Sequence, residues 1–198
     1  MDRPKSTFLR AVLVCTALLL AAPMGASAKP MTSSGGGASF VPPPPPAERA
    51  KIVDGVAIPP KAAPARVKNA IAAANRIVRK PYLYGGGHGP FSGDPMTGPL
   101  AAGYDCSSTI SQALWGGRFL SSPLDSSSFM RWGSTGSGRW VTVYTNPGHA
   151  YVVIAGLRLD TSVGERASAE DRRSGRGPRW RTYGRSPSGF TARHPAGF

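Results

Sequence analysis

Cysteine is scarce in this sequence, which has only Cys15 and Cys106 among 198 residues. Cys15 lies in an N-terminal segment that we expect to be removed, so the mature chain keeps one thiol. A fold that depends on a disulfide framework is therefore excluded. His88 and His149 do not combine with Cys106 in any spacing typical of a metal site. The glycines of Gly85–Gly87 lack the preceding strand and the spacing of a dinucleotide-binding loop, so we expect no metal and no cofactor.

Acidic residues are also scarce, since the chain has 10 Asp and Glu against 24 Lys and Arg and a formal net charge of +14. A protein this basic is attracted to polyanions. Nucleic acid is the usual partner for such a charge, but the export signal described next argues against it. We expect an anionic polymer of the cell envelope instead.

Long apolar runs are absent except near the N-terminus, where residues 11–22 are almost entirely apolar. Residues 1–28 have the three parts of a secretory signal peptide: the basic residues Arg3, Lys5 and Arg10, this apolar run, and the small residues Ala26-Ser27-Ala28. The run is short for a membrane span, although a retained anchor is the alternative interpretation. We expect a secreted, extracytoplasmic protein that acts as a monomer without stable membrane insertion.

Residues 29–61 are rich in Gly, Ser and Pro and predict a disordered linker. The remaining residues, 62–198, have the length of one domain. Its C-terminal segment is basic and surrounds Trp180 and Tyr183 with Arg172, Arg173, Arg176, Arg179, Arg181, Arg185 and Arg193. Two interpretations of that segment are open: a wall-binding surface, or a solvated tail in which residues 179–183 form an edge strand.

Two helices are expected at the start of the domain. Apolar residues recur at helical spacing from Ala65 to Arg79, and Pro81 ends that pattern. Asp105 is a good N-cap for a second helix that begins at Cys106 and ends near Trp115. Since the start of a helix favours negative charge, this position lowers the pKa of a thiol. A small buried hydrophobic side chain is the alternative interpretation of the cysteine.

Strands are expected in the second half of the domain, over residues 140–144, 149–155 and 157–161. If residues 155–156 form a two-residue hairpin loop, Asp160 lies on the same face of the sheet as His149 and diagonal to it. The same register places Ser162 opposite His149. Cys106, His149 and Asp160 then form a nucleophile, a base and an orienting carboxylate, which is sufficient for acyl transfer.

Two motifs resemble the NlpC-type cell-wall cysteine peptidases, a branch of the papain-like superfamily. Tyr82-Leu83-Tyr84-Gly85-Gly86 is similar to the family's aromatic-glycine motif, and Gly103-Tyr104-Asp105-Cys106-Ser107-Ser108 is similar to its cysteine motif. Gly148-His149 before an apolar strand is similar to its histidine strand. Asp160 stands where the family commonly has His, Asn or Gln. The Pro-Gly-Asp pattern that usually precedes the histidine is absent.

The resemblance implies an α+β papain-like fold, with N-terminal helices packed on a small antiparallel sheet. It also implies a peptidase that hydrolyses peptide bonds of peptidoglycan stem peptides, with Cys106 as nucleophile and His149 as base. Residues expected near the oxyanion or the substrate are Tyr82, Asp105, Ser107 and His88. His88 has no counterpart in the family motifs, and an exposed loop residue is its alternative interpretation. A wall-binding module without catalysis, and an amidase or acyltransferase on the same fold, are the alternative functions.

Overall fold

The computed structural model describes residues 49–162, 177–182 and 185–198. All of them belong to one compact unit, Gly36–Phe198. The described residues combine helices with two antiparallel sheets, which confirms the α+β class. The predicted signal peptide, most of the predicted linker and four of the residues named in the basic segment lie outside the described residues; those four are Arg172, Arg173, Arg176 and Tyr183. None of the described helices has the length and apolar character needed to cross a membrane.

The described helices are α1 (Ala65–Asn75), α2 (Cys106–Gly116) and α3 (Ser126–Phe129). The strands are β1 (Lys51–Val53), β2 (Val56–Ile58), β3 (Ser134–Thr135), β4 (Val141–Asn146), β5 (His149–Ile154), β6 (Leu157–Asp160), β7 (Arg179–Arg181) and β8 (Thr191–His194). Strands β1 and β2 form a separate hairpin. The others form a six-stranded sheet in the order β3-β8-β4-β5-β6-β7.

The β1–β2 hairpin corrects the predicted extent of the linker. Its strands lie in the stretch assigned to disorder, yet Ala57 is buried and the N–H of Ala50 donates to the carbonyl of Ala155 at 2.9 Å. The turn residues Asp54 and Gly55 both have positive φ, 49° and 81°. This is the geometry of a two-residue hairpin turn, in which Asp-Gly is a favoured pair. A linker that extends to residue 61 is therefore wrong for residues 51–58.

Helix α1 is shorter than the apolar pattern predicted. It ends at Asn75, after which Arg76 and Ile77 each donate to the carbonyl three residues earlier and continue the chain in tighter turns. These turns keep Ile77 and Val78 buried, so the apolar pattern continues beyond the α-helix itself. Helix α2 begins at Cys106 as predicted and ends at Gly116, one residue later than expected.

The β5–β6 hairpin has the predicted register. Ile154 pairs with Leu157 across the loop, whose residues Ala155 and Gly156 have φ values of 47° and 78°. Strand β7 pairs with β6 at the edge of the sheet, as in the edge-strand interpretation of residues 179–183, although Tyr183 is not described. Strand β8 was not predicted, and it pairs with both β3 and β4.

The core lies between the helices and one face of the sheet. It includes Val67 and Ile71 of α1, Ile110 and Leu114 of α2, and the strand residues Val141, Val143, Val152, Ile154 and Leu159. A Cβ on Gly116 would lie 2.2 Å from the Cβ of Ala73, so this glycine lets the two helices approach closely. Their packing holds the N-terminal end of α2 beside β5.

Candidate active site

Asp105 joins the two sequence motifs at the start of α2. Its Oδ1 accepts from the N–H of Ser108 at 2.9 Å, and the hydroxyl of Ser108 accepts from the N–H of Asp105 at 3.0 Å, which completes a capping box. Its Oδ2 accepts from the N–H of Gly85 at 3.1 Å. The N–H of Leu83 also donates to the carbonyl of Tyr104 at 3.2 Å. The aromatic-glycine loop is thus tied to the helix that carries the cysteine.

The thiol of Cys106 lies at the first position of α2 and is half-buried. Burial raises the pKa of this thiol, but hydrogen bonds from His149, from the hydroxyl of Ser126 and from the N–H of Ala150 outweigh burial, so the pKa lies below its ordinary value. The distance from Sγ to the Ser126 Oγ is 3.7 Å. The first N–H groups of a helix have no carbonyl partner within the helix, so those of Cys106 and Ser107 are oriented for an anion.

His149 lies at the start of β5 and is held by the carboxylate of Asp160 on β6. The His149 Nε2 is 3.0 Å from the Asp160 Oδ1, and the Asp160 side chain is fully buried. Because Nε2 faces the carboxylate, Nδ1 is the nitrogen left for Cys106. The structure therefore brings the predicted nucleophile, base and carboxylate together.

The charges of Cys106, His149 and Asp160 stabilise one another. Burial lowers the pKa of His149, but the hydrogen bonds and negative charges of Asp160 and Cys106 raise it overall, from 6.5 to about 9. Burial raises the pKa of Asp160, and the hydrogen bond and charge of His149 bring it below its usual value. These interactions favour a thiolate beside an imidazolium over the neutral pair, and the thiolate is the reactive form of a cysteine nucleophile.

Cys106 opens into a cleft of about 460 Å³. The cleft is lined by Tyr82, Tyr84, Gly85, His88, Asp105, Cys106, Ser107, Asp125, Ser126, Ser127, Pro147 and Gly148. All four residues predicted near the oxyanion or substrate thus line the same cleft as the thiol, and their contact with a substrate stays a prediction. His88 is not merely an exposed loop residue, because its Nε2 lies 3.0 Å and 2.9 Å from the two carboxylate oxygens of Asp105.

Sequence reasoning missed two residues of the site. Ser126 contacts the thiol from the start of α3, where Asp125 accepts from the N–H of Ser128 at 2.7 Å as an N-cap. The sequence Asp125-Ser126-Ser127-Ser128 is a recognisable N-cap signal, although it does not show which helix faces Cys106. Arg185 lies 3.4 Å from the Asp160 Oδ2, and no local pattern indicated that contact.

Within the described ranges, no three His, Cys, Asp or Glu side chains are grouped as metal ligands would be. No protein-family model matches the chain, and searches of curated proteins and of solved structures found no match. Function must therefore be inferred from the geometry of Cys106, His149 and Asp160 and from the residues that surround them.

Proposed function

We propose that this protein is a cysteine peptidase with a Cys106-His149-Asp160 triad. One observation carries the proposal: a buried carboxylate holds Nε2 of an imidazole that also hydrogen-bonds a thiol of lowered pKa, and that thiol lines an open cleft. A buried structural cysteine would not need a histidine and a carboxylate aligned behind it. Such an alignment orients the imidazole and stabilises its positive charge.

The proposed reaction begins with attack of the Cys106 thiolate on the carbonyl carbon of a peptide bond. The N–H of Cys106 stabilises the negative oxygen of the tetrahedral intermediate. The His149 imidazolium then donates its proton to the leaving amine, and a thioester with Cys106 remains. Neutral His149 next takes a proton from water, which attacks the thioester and releases the acid. Asp160 stays ionised throughout and keeps the imidazole in position.

We propose peptidoglycan stem peptides as the substrate and the papain-like NlpC-type fold as the architecture. The two motifs that resemble the NlpC-type peptidases support both, since they contribute Tyr82 and Ser107 to the cleft beside Cys106. The predicted export signal and the net charge of +14 support action at an anionic cell wall outside the cytoplasm. By the same resemblance, Tyr82 lies near the site of the negative oxygen.

Digestion of purified peptidoglycan, followed by mass spectrometry of the soluble fragments, tests this proposal. We expect fragments with new amino and carboxyl ends inside the stem peptide, and none from the Cys106→Ser protein. Ser121→Ala is the control for effects of substitution and purification that do not involve the site, because Ser121 is exposed and lies outside the cleft. This control protein should release the same fragments as the wild type.

Four other outcomes would contradict the proposal. Binding to peptidoglycan without any cleavage indicates the wall-binding module. Release of whole stem peptides from the glycan indicates an amidase, and transfer of an acyl group to an added amine without hydrolysis indicates an acyltransferase. Cleavage that persists in folded Cys106→Ser protein would exclude the thiol mechanism.

A further inference from the structure

The two oxygens of Asp160 have different surroundings. Oδ1 accepts from three groups: the N–H of Ser162 at 2.8 Å, the hydroxyl of Ser162 at 3.1 Å and the Nε2 of His149 at 3.0 Å. Oδ2 faces two guanidinium groups, with Arg158 Nε at 3.6 Å and Arg185 Nη1 at 3.4 Å. The carboxylate is therefore held on both sides, and only one of its neighbours is the imidazole.

Arg185 reaches this carboxylate from a distant part of the chain. Its Nη1 donates to the hydroxyl oxygen of Ser162 at 2.6 Å, and that hydroxyl also lies 3.4 Å from the His149 Nε2. The guanidinium lies over the rings of Tyr151 and Phe190, 5.7 Å and 5.3 Å from their centroids. These contacts fix the direction of the side chain, which is 26% exposed.

We propose that Arg185 is a positioning residue, which holds Ser162 and Asp160 behind His149 and so keeps the imidazole directed at Cys106. This inference rests on the proposed function. Arg185 is not among the residues that line the cleft, so its effect reaches the substrate only through Ser162, Asp160 and His149. A charged hydrogen-bond donor is stronger than a neutral one, which suits it to this role.

The charge of Arg185 has a second effect, on the proton held by His149. A positive charge close to the carboxylate opposes the imidazolium, so removing it makes the imidazolium more stable. The other titratable groups around His149 and Asp160 are Cys106 on α2, Arg158 on β6 and Tyr151 on β5. Arg179 of β7 pairs with Asp160, but its guanidinium donates to the backbone carbonyls of Val78 and Lys80. Burial raises the pKa of Tyr151, so it stays neutral in the pH range that matters. Among these described groups, Arg158 and Arg185 carry the opposing positive charge.

Three substitutions separate the hydrogen bond from the charge. Arg185→Gln keeps a hydrogen-bond donor for Ser162 but removes the charge. Arg185→Lys keeps the charge but not the planar guanidinium group. Arg185→Met removes both the donor and the charge. Iodoacetamide alkylation of Cys106 is measured across pH for each protein, with kcat and KM on peptidoglycan fragments. Arg118→Met is the matched control, because Arg118 is exposed at the opposite end of α2 from Cys106.

We expect the alkaline inflection of alkylation, set by His149, to rise by about half a pH unit in the Gln and Met proteins. It should stay at the wild-type pH in the Lys and Arg118→Met proteins. We expect kcat to fall about ten-fold in Arg185→Met with KM unchanged, and less in Arg185→Gln. A merely structural arginine would change the folded fraction and leave the inflection where it was.

An unchanged inflection and an unchanged kcat in folded Arg185→Gln and Arg185→Met proteins would overturn the inference. A wild-type protein with pH-dependent alkylation but no cleavage of peptidoglycan would refute the proposed substrate alone, because alkylation would still decide the role of Arg185. A wild-type thiol that reacts only after denaturation would overturn both proposals.

Discussion

The reactivity of Cys106 is set by groups that lie against its sulfur. Half-burial of the thiol raises its pKa, and the pKa falls below the ordinary value only because His149, Ser126 and the N–H of Ala150 stabilise the thiolate. Of these, His149 also supplies a positive charge. Its own pKa of about 9 keeps that charge present at neutral pH. The imidazolium that stabilises the thiolate should therefore persist up to about pH 9.

Substitution of His149 should raise the pKa of Cys106. In His149→Ala the thiol loses a hydrogen bond and a nearby positive charge while its burial remains, so the acid inflection of iodoacetamide alkylation should move to higher pH. The rate at neutral pH should fall about ten-fold or more. His194→Ala is the matched control, because the Nδ1 of His194 contacts the carbonyl of Gly136 in another part of the sheet. Equal profiles for wild type and His149→Ala would show that the two side chains do not interact.

Asp160 should be needed for catalysis, because it holds His149 in position and raises the pKa of the imidazole. In Asp160→Ala the imidazole loses the partner that raises its pKa, so the alkaline limb of kcat/KM should move from about pH 9 to lower pH. We expect kcat to fall about 100-fold or more. Asp160→Asn can still accept a hydrogen bond from Nε2 and should retain more activity.

The stability of the same variants has its own pH dependence. The folded pKa of Asp160 is below its unfolded value, so ionised Asp160 stabilises the fold above the ordinary pKa of aspartate, and this contribution disappears as pH falls through the folded pKa. Thermal unfolding at neutral and acid pH measures that loss.

Trivial and equal effects of Asp160→Ala and Asp160→Asn on kcat would exclude Asp160 from the triad.

Among the secondary-structure elements, those with strong local signals were predictable from the sequence. The cap at Asp105 fixed the start of α2, and the two-residue loop at residues 155–156 fixed the register that brings Asp160 to His149. In both cases the residues that carry the signal lie within a few positions of the element that they determine. The placement of Cys106 at the start of a helix and of His149 at the start of a strand followed from those local signals.

Other elements were missed because their stability comes from distant contacts. Strand β8 has four residues of mixed polarity, and its partner β4 lies about fifty positions earlier in the chain. The contact of Arg185 with Asp160 was missed for the same reason, since no local pattern connects residues so far apart. The β1–β2 hairpin is different, because Asp54-Gly55 is a hairpin signal in the sequence. The proline-rich stretch before it favoured the linker interpretation instead.

The aromatic-glycine loop depends on a close approach of two backbones. A Cβ on Gly86 would lie 2.6 Å from the carbonyl oxygen of Gly103, two residues before Asp105. We expect Gly86→Ala to push the loop away from the start of α2, with a loss of kcat/KM of about ten-fold and a smaller loss of stability. Gly89→Ala is the matched control, because a Cβ there meets nothing within 4 Å. Equal activity of the two variants would show that the loop position does not matter for catalysis.

At the scale of the whole molecule, one side chain joins three separate elements. The Oδ1 of Asn75, the last residue of α1, accepts from the N–H of Ala57 at 2.9 Å and from the Nε1 of Trp180 at 2.8 Å. Its Nδ2 donates to the carbonyl of Ala57 at 2.9 Å. The hairpin, the first helix and the edge strand β7 therefore meet at this amide, although they are far apart in sequence.

Loss of this amide should destabilise the protein as a unit. Asn75→Ala leaves the buried Ala57 without two hydrogen bonds and Trp180 without one, so we expect the free energy of unfolding to fall by about 2 kcal/mol and Tm by several degrees. Asn69→Ala, at an exposed position of the same helix, controls for the change in helix composition and should have little effect. Thermal unfolding of both variants, followed by circular dichroism and by Trp fluorescence, makes the comparison. If Asn75→Ala unfolds in two steps, with the fluorescence change first, then tryptophan packing is lost before the helices and the protein does not unfold as one cooperative unit.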